Sequence, residues 1–153
     1  MNIIGASIDP VRIDGSLDRL TKDLQAFEKI GIQAVELPVH GLDAILNGSL
    51  HTARTRQVMS LLSDFDFVYS IHSPNPVNLM DQKDPALHKA VLEASLEFAR
   101  QIHAHVVVVH SGRFIPEENF AVTPARSLTA SEQHRMLEAE AQRLQDLAGD
   151  YPD

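Results

Sequence analysis

Cysteine and tryptophan are absent from this chain, and aromatics are sparse, with two Tyr and six Phe in 153 residues. Without cysteine there is no disulfide framework, thiolate nucleophile or zinc–thiolate knuckle. No run of about 18 apolar residues occurs, the length that reads as a membrane-spanning helix. The opening MNIIGASIDP has neither a basic region nor an apolar core, which argues against a secretory signal and for a cytoplasmic protein without a membrane partner. Positive charge is also in short supply. Thirteen Lys and Arg face 21 Asp and Glu, giving a formal charge of −8, and the basic residues are scattered. A protein that grips phosphate backbones carries a basic stripe with interleaved aromatics, so nucleic acid is disfavoured as a partner.

What is present is a regular alternation of short β-branched runs and amphipathic segments. Residues 3–8 read as a strand. Ser16 caps a helix whose Leu17, Leu20, Leu24, Phe27 and Ile30 share a face, and Gly31 ends it. Residues 34–40 form a second strand, 49–62 a second helix and 67–72 a third strand. Asp84-Pro85 opens a helix running to about Ile102, with proline at its first position. Residues 106–110 form strand four. Thr129 and Glu132 have capping-box spacing and open a last helix ending at Gly149. The pattern is βαβαβαβα in one domain over residues 1–153, which implies a parallel sheet with right-handed crossovers. The one long connection spans residues 111–128, and long loops are usually functional.

Side chains alternate across a strand, so each strand has two faces. One face is apolar throughout. The other carries Asp9, Glu36, His40, Ser70, His72 and His110. A doubly wound sheet meets helices on both faces and should be apolar on both. A barrel packs only its outer face on helices and turns polar inside, toward the C-terminal mouth. The phase therefore favours a barrel, with Asp9, His40, His72 and His110 at the mouth.

The segments IHSPNPVNLMD and AHVVVVHSGRF, with KIGIQAVEL before strand two, resemble the xylose isomerase-like TIM-barrel superfamily, which includes sugar and sugar-phosphate isomerases and epimerases and endonuclease IV-like enzymes. The likeness spans roughly residues 3–147. A full barrel of this kind takes roughly 250 residues, so the expected fold is α/β, a parallel (βα)4 half of a TIM barrel. The resemblance implies that His72 and His110 are the strand-three and strand-four histidines, zinc ligands in the endonuclease branch and pocket-lining residues in many isomerases. It implies a divalent metal, zinc or manganese.

Beside these, Glu36 is a candidate general base or a buried, hydrogen-bonded acid. Asp9, His40, Asn78 and Arg113 are candidates for substrate binding. For Asp9 the alternative is a turn opener, for Asn78 a bond to its own loop, for Arg113 a solvated surface position. His51, His88, His103, His105 and His134 read as surface. Four strands leave two open edges, and open edges invite pairing, so a homodimer is expected. Three functions stay open: a sugar or sugar-phosphate isomerase/epimerase-like protein, incomplete and inactive alone; an endonuclease IV-like metal phosphodiesterase; and a non-catalytic half-barrel interaction module.

Overall fold

The computed structural model describes residues 3–114 and 128–151. Its centre is a four-stranded parallel sheet in the order β1 (Gly5–Ser7), β2 (Ala34–Pro38), β5 (Val68–His72), β6 (Val106–Val108). The strands are consecutive in the sheet, as successive right-handed crossovers in one direction require. Helices α2 (Leu17–Lys29), α3 (Thr52–Leu62) and α4 (Pro85–Gln101) make the crossovers, and α5 (Ala130–Asp150) follows β6. Most of the long connection expected after residue 111 lies outside the described residues.

Local signals explain most boundaries. Ser16 accepts from the Arg19 N–H at the start of α2, and Asp84 accepts from Leu87 ahead of Pro85 in α4. Thr129 and Glu132 close both bonds of a capping box at α5. Asp9, a turn opener by sequence, caps a single-turn helix, α1 (Pro10–Ile13). Arg12 on that turn reaches Asp23 of α2 through Nε and Nη2, at 2.9 and 2.7 Å, and joins the two helices.

The expected helix over residues 49–62 begins at Thr52. Before it, β3 (Ile45–Leu46) and β4 (Ser49–Leu50) form an antiparallel hairpin. Its turn is Asn47-Gly48, with φ of 50° and 74°, the backbone that Asn-Gly adopts most readily. Strand two likewise stops at Pro38 and passes into a 3₁₀ turn over Val39–Leu42. Gly41 is required there, since a Cβ would lie 2.8 Å from the Pro10 Cα.

The main core fills one side of the sheet. Val35, Leu37, Tyr69 and Ile71 are buried against Leu20, Leu24, Val58, Leu62 and Phe98. Tyr69 donates its hydroxyl to the Leu62 carbonyl, and burial, aided by nearby Asp66, pushes its pKa up to about 12. The opposite side differs. Gly5, Ser7, Val68 and Val106 are exposed, and Glu36, Ser70, His72 and Val108 are half-buried. Among the described residues, the deeply buried side chains of the sheet lie on the face that meets the helices, and the alternate face is more open. A second, smaller apolar cluster of Val77, Leu79, Leu92 and Leu147 seats the loop after β5 between α4 and α5.

Leu37 is wholly buried at the centre of the sheet. Leu37→Ala should lower unfolding stability by about 2–5 kcal/mol, read from urea denaturation midpoints.

Candidate functional site

The parallel register sets up the site. Ser7, Glu36 and Ser70 are partners across β1, β2 and β5, and His72 lies one pleat further on, level with Pro38 and Val108. All are on the face that the helices leave open. Side chains of adjacent strands at this spacing touch directly or along a diagonal, and a continuous row results. Ser7 Oγ donates to Glu36 Oε1 at 3.0 Å. His72 Nδ1 lies 3.1 Å from the same oxygen, and His72 Nε2 lies 2.8 Å from His110 Nε2.

This row fixes the tautomers. A carboxylate oxygen accepts, so the hydrogen on His72 sits at Nδ1, and its Nε2 is the acceptor. His110 must then donate through Nε2. The two rings are tilted by 40° with centroids 4.9 Å apart, so they meet through their nitrogens rather than by stacking. The acceptor nitrogen of His72 is thus held in place by the carboxylate behind it and is taken up by His110.

Orientation by a carboxylate is also how metal-binding histidines are held. Two nitrogens on one tetrahedral ion at about 2.0–2.1 Å would be about 3.3 Å apart. The 2.8 Å separation is that of a hydrogen bond, and admitting an ion requires the rings to part by about half an ångström. Among the described residues, no three His, Asp or Glu side chains gather as metal ligands. The pair suits two coordination positions in donor type once the His110 hydrogen moves from Nε2 to Nδ1, but this chain's described residues do not make a full set.

The other candidates take different positions. Asp9 Oδ1 accepts from the Val11 and Arg12 N–H groups, at 2.8 and 3.3 Å, which caps α1 beside the open end of the sheet. His40 lies on the 3₁₀ turn beyond β2. Partial burial of its ring, and then the charge of His72, hold its pKa below the usual 6.5. Asn78 is buried and clasps the segment after His110: its Oδ1 accepts from Arg113 N at 2.7 Å, and its Nδ2 donates to Arg113 O at 2.9 Å. Arg113 in turn donates from Nη2 to the Asn75 carbonyl at 2.6 Å. Asn78 and Arg113 thus tie the loops after β5 and β6 together beneath His110.

Three contributors to this clasp were not singled out from sequence. His88, read as surface, accepts the Asn78 N–H on its Nδ1 at 3.2 Å. Glu140, nearly buried on α5, accepts the Gly112 N–H. Arg143 donates to the carbonyls of Leu79 and Asp81. Gly112 is closely confined, since a Cβ there would meet Met80 Cγ at 2.5 Å and the Asn78 and Glu140 oxygens at 2.9 Å. A signal for Glu140 was available, because a carboxylate in an otherwise apolar helix stripe needs a partner. Ser73, directly after His72, is wholly buried, and its hydroxyl has no hydrogen-bond partner among the described residues.

No family model matches this chain, and no curated protein matches it either. The site must therefore be judged on its own geometry. A cleft of about 910 Å³ at the opposite end of the sheet, lined by Glu97, Arg100, His103 and Tyr151 among others, contains none of the predicted site residues. No helix among the described residues is long and apolar enough to cross a membrane.

Asn78→Ala strips partners from both backbone groups of Arg113 and should cost about 1–3 kcal/mol in urea unfolding. His40 supplies a pH dependence. The unfolded chain takes up its proton near the usual pKa, and the folded chain resists it to lower pH. The unfolded state therefore binds more protons in that window, and stability falls as pH drops from above about 6.5. His40→Asn should flatten this decline in urea midpoints collected from about pH 8 to pH 5.

Proposed function

We propose that the chain is a (βα)4 half of a xylose isomerase-like barrel and that its open face belongs to a sugar or sugar-phosphate isomerase or epimerase site. One observation carries this reading: the Ser7–Glu36–His72–His110 row on the uncovered face of the sheet, at the carboxyl ends of its strands. Barrel enzymes keep their chemistry at that end. The resemblance of IHSPNPVNLMD and AHVVVVHSGRF to that superfamily supports the same choice.

In this reading His72 and His110 are the ligands that a zinc or manganese ion would use, with His72 turned by Glu36. Such an ion would polarise the carbonyl and hydroxyl oxygens of a sugar. Glu36 keeps the His72 hydrogen on Nδ1, so that its Nε2 lone pair is turned toward His110. Its Oε2 takes no hydrogen bond among the described residues, and this oxygen is the one available to hold or receive a proton. This reading assigns contacts with a phosphate or hydroxyl group to His40, which stands near His72, and to Arg113, whose Nη2 also donates to the Asn75 carbonyl. Proton transfer beside a carbonyl needs a base and an electrophile on one substrate. A single half offers part of that set, so the isolated half is inactive and activity requires the sheet to be completed.

A second reading, a non-catalytic interaction module, is favoured by the ligand count, since the described residues offer no third metal-binding side chain. A phosphodiesterase of the endonuclease IV kind is less favoured by the acidic balance of 21 acids to 13 bases.

Zinc titration by calorimetry, with metal content checked by mass spectrometry, separates the readings. The wild-type chain should bind zinc, His72→Ala and His110→Ala should each abolish binding, and Glu36→Gln should weaken it about 10–100-fold. Sugar C–H exchange in deuterated water, followed by NMR, then tests the isomerase chemistry. Absence of zinc binding, or zinc binding indifferent to both histidines, overturns the metal-dependent reading.

A further inference from the structure

Among the described residues, the outer edges of β1 and β6 pair with no strand. Unpaired parallel edges are templates for another strand. The helices beside them are unfinished in the same way. On α5, Glu140 and Leu147 are buried against the body, while Leu137, Ala141, Leu144 and Ala148 form an exposed stripe at coiled-coil spacing, with Leu137 46% and Leu144 41% accessible. The opposite flank of α5 is the one next to α4, because Asp146 and Asp150 there act on Lys89. The apolar stripe therefore points past β6, toward the empty side of the sheet.

The β1 end carries a matching surface. On α2, the flank bearing Asp23 continues through Ala26 to Ile30, which is 72% exposed. By the handedness of the crossovers this flank is turned away from α3, toward the empty side of β1. Ile3 and Ile4, leading into β1, are 60% and 62% exposed. At the strand tops, the β1 edge leads to the Asp9 carboxylate and the β6 edge leads to His110.

We infer that the missing neighbour is a second copy of this chain, related by a two-fold axis along the strand direction. Rotation about such an axis keeps all strands parallel. It sets β6 of each copy beside β1 of the other, and α5 of each against α2 of the other. One chain supplies both halves of the joint, so the two joints form together and close the ring at eight strands. At the lower end Leu144 and Ala148 meet Ala26 and Ile30. At the mouth Asp9 of each copy comes beside His110 of the other. The second copy thus brings a carboxylate to a rim that has two imidazoles of its own.

This inference rests on the half-barrel reading of the sheet, but it fails separately from the metal chemistry, because its readout is mass rather than zinc uptake. Sedimentation velocity on the full chain should give a dimer, and a monomer across the accessible concentration range overturns the inference. Leu144→Glu and Ile30→Lys, prepared as separate proteins, should each sediment as monomers with unchanged far-ultraviolet circular dichroism. Mixed one to one, they should recover the dimer. In that heterodimer one joint pairs Glu with Lys and the other is wild type. If either variant alone stays dimeric, or if the folded pair does not recombine, α5 does not pack on α2 and the inference is wrong. A dimer formed through the open faces would appear as insensitivity to both changes.

Discussion

One-sided burial of the parallel sheet is the constraint from which the rest of this molecule follows. A parallel sheet is ordinarily covered on both faces, because its crossover helices lie on both. Here successive crossovers advance the strand order in one direction, which puts the crossover helices α2, α3 and α4 on one side. Val35, Leu37, Tyr69 and Ile71 meet them. The alternate residues Ser7, Glu36, Ser70 and His72 face away. Polar side chains at mid-strand positions would carry a large desolvation cost in a doubly covered sheet. On an open face Ser7, Glu36 and His72 satisfy one another in a hydrogen-bonded row that reaches His110.

The position of His110 depends on a separate polar framework. β6 is short, and the segment beyond it has no strand pairing to hold it. Asn78 supplies that support by accepting from and donating to Arg113, and Glu140 adds the bond to Gly112. The Asn78 backbone N–H is in turn accepted by His88 on α4. Backbone groups in a buried loop must find partners, and side chains from three elements provide them here. The same groups that satisfy the loop set where the imidazole stands.

The strand order, the polar face and the meeting of His72 with His110 were legible in the sequence, because period-two alternation in parallel strands carries that information directly. Glu36 was identified as an inward acid, but its contact with His72 required the register, which a sequence read alone does not supply. The Asn47-Gly48 hairpin was present as ILNGSL, a strong turn signal, but the apolar periodicity of the following helix absorbed Leu50 into that element. Asn78, His88 and Glu140 join from positions far apart in the chain, and no local spacing marks them as a group. Their signal is burial, and burial of a polar side chain is a property of the fold.

The hairpin has a further consequence. Gly48 at its tip stands against α4, where a Cβ would lie 3.1 Å from the Ala90 side chain and 3.5 Å from Leu87. The hairpin belongs to the connection between β2 and α3, yet it rests on the helix of the following βα unit. Repeating βα architectures could open one unit at a time from an edge, since each unit touches mainly its neighbours. A strap thrown from one unit across to the next removes that freedom locally. The second and third units should therefore exchange their amide hydrogens as one cooperative block, leaving β1 and β6 as the parts of the sheet free to adjust to whatever lies beside them.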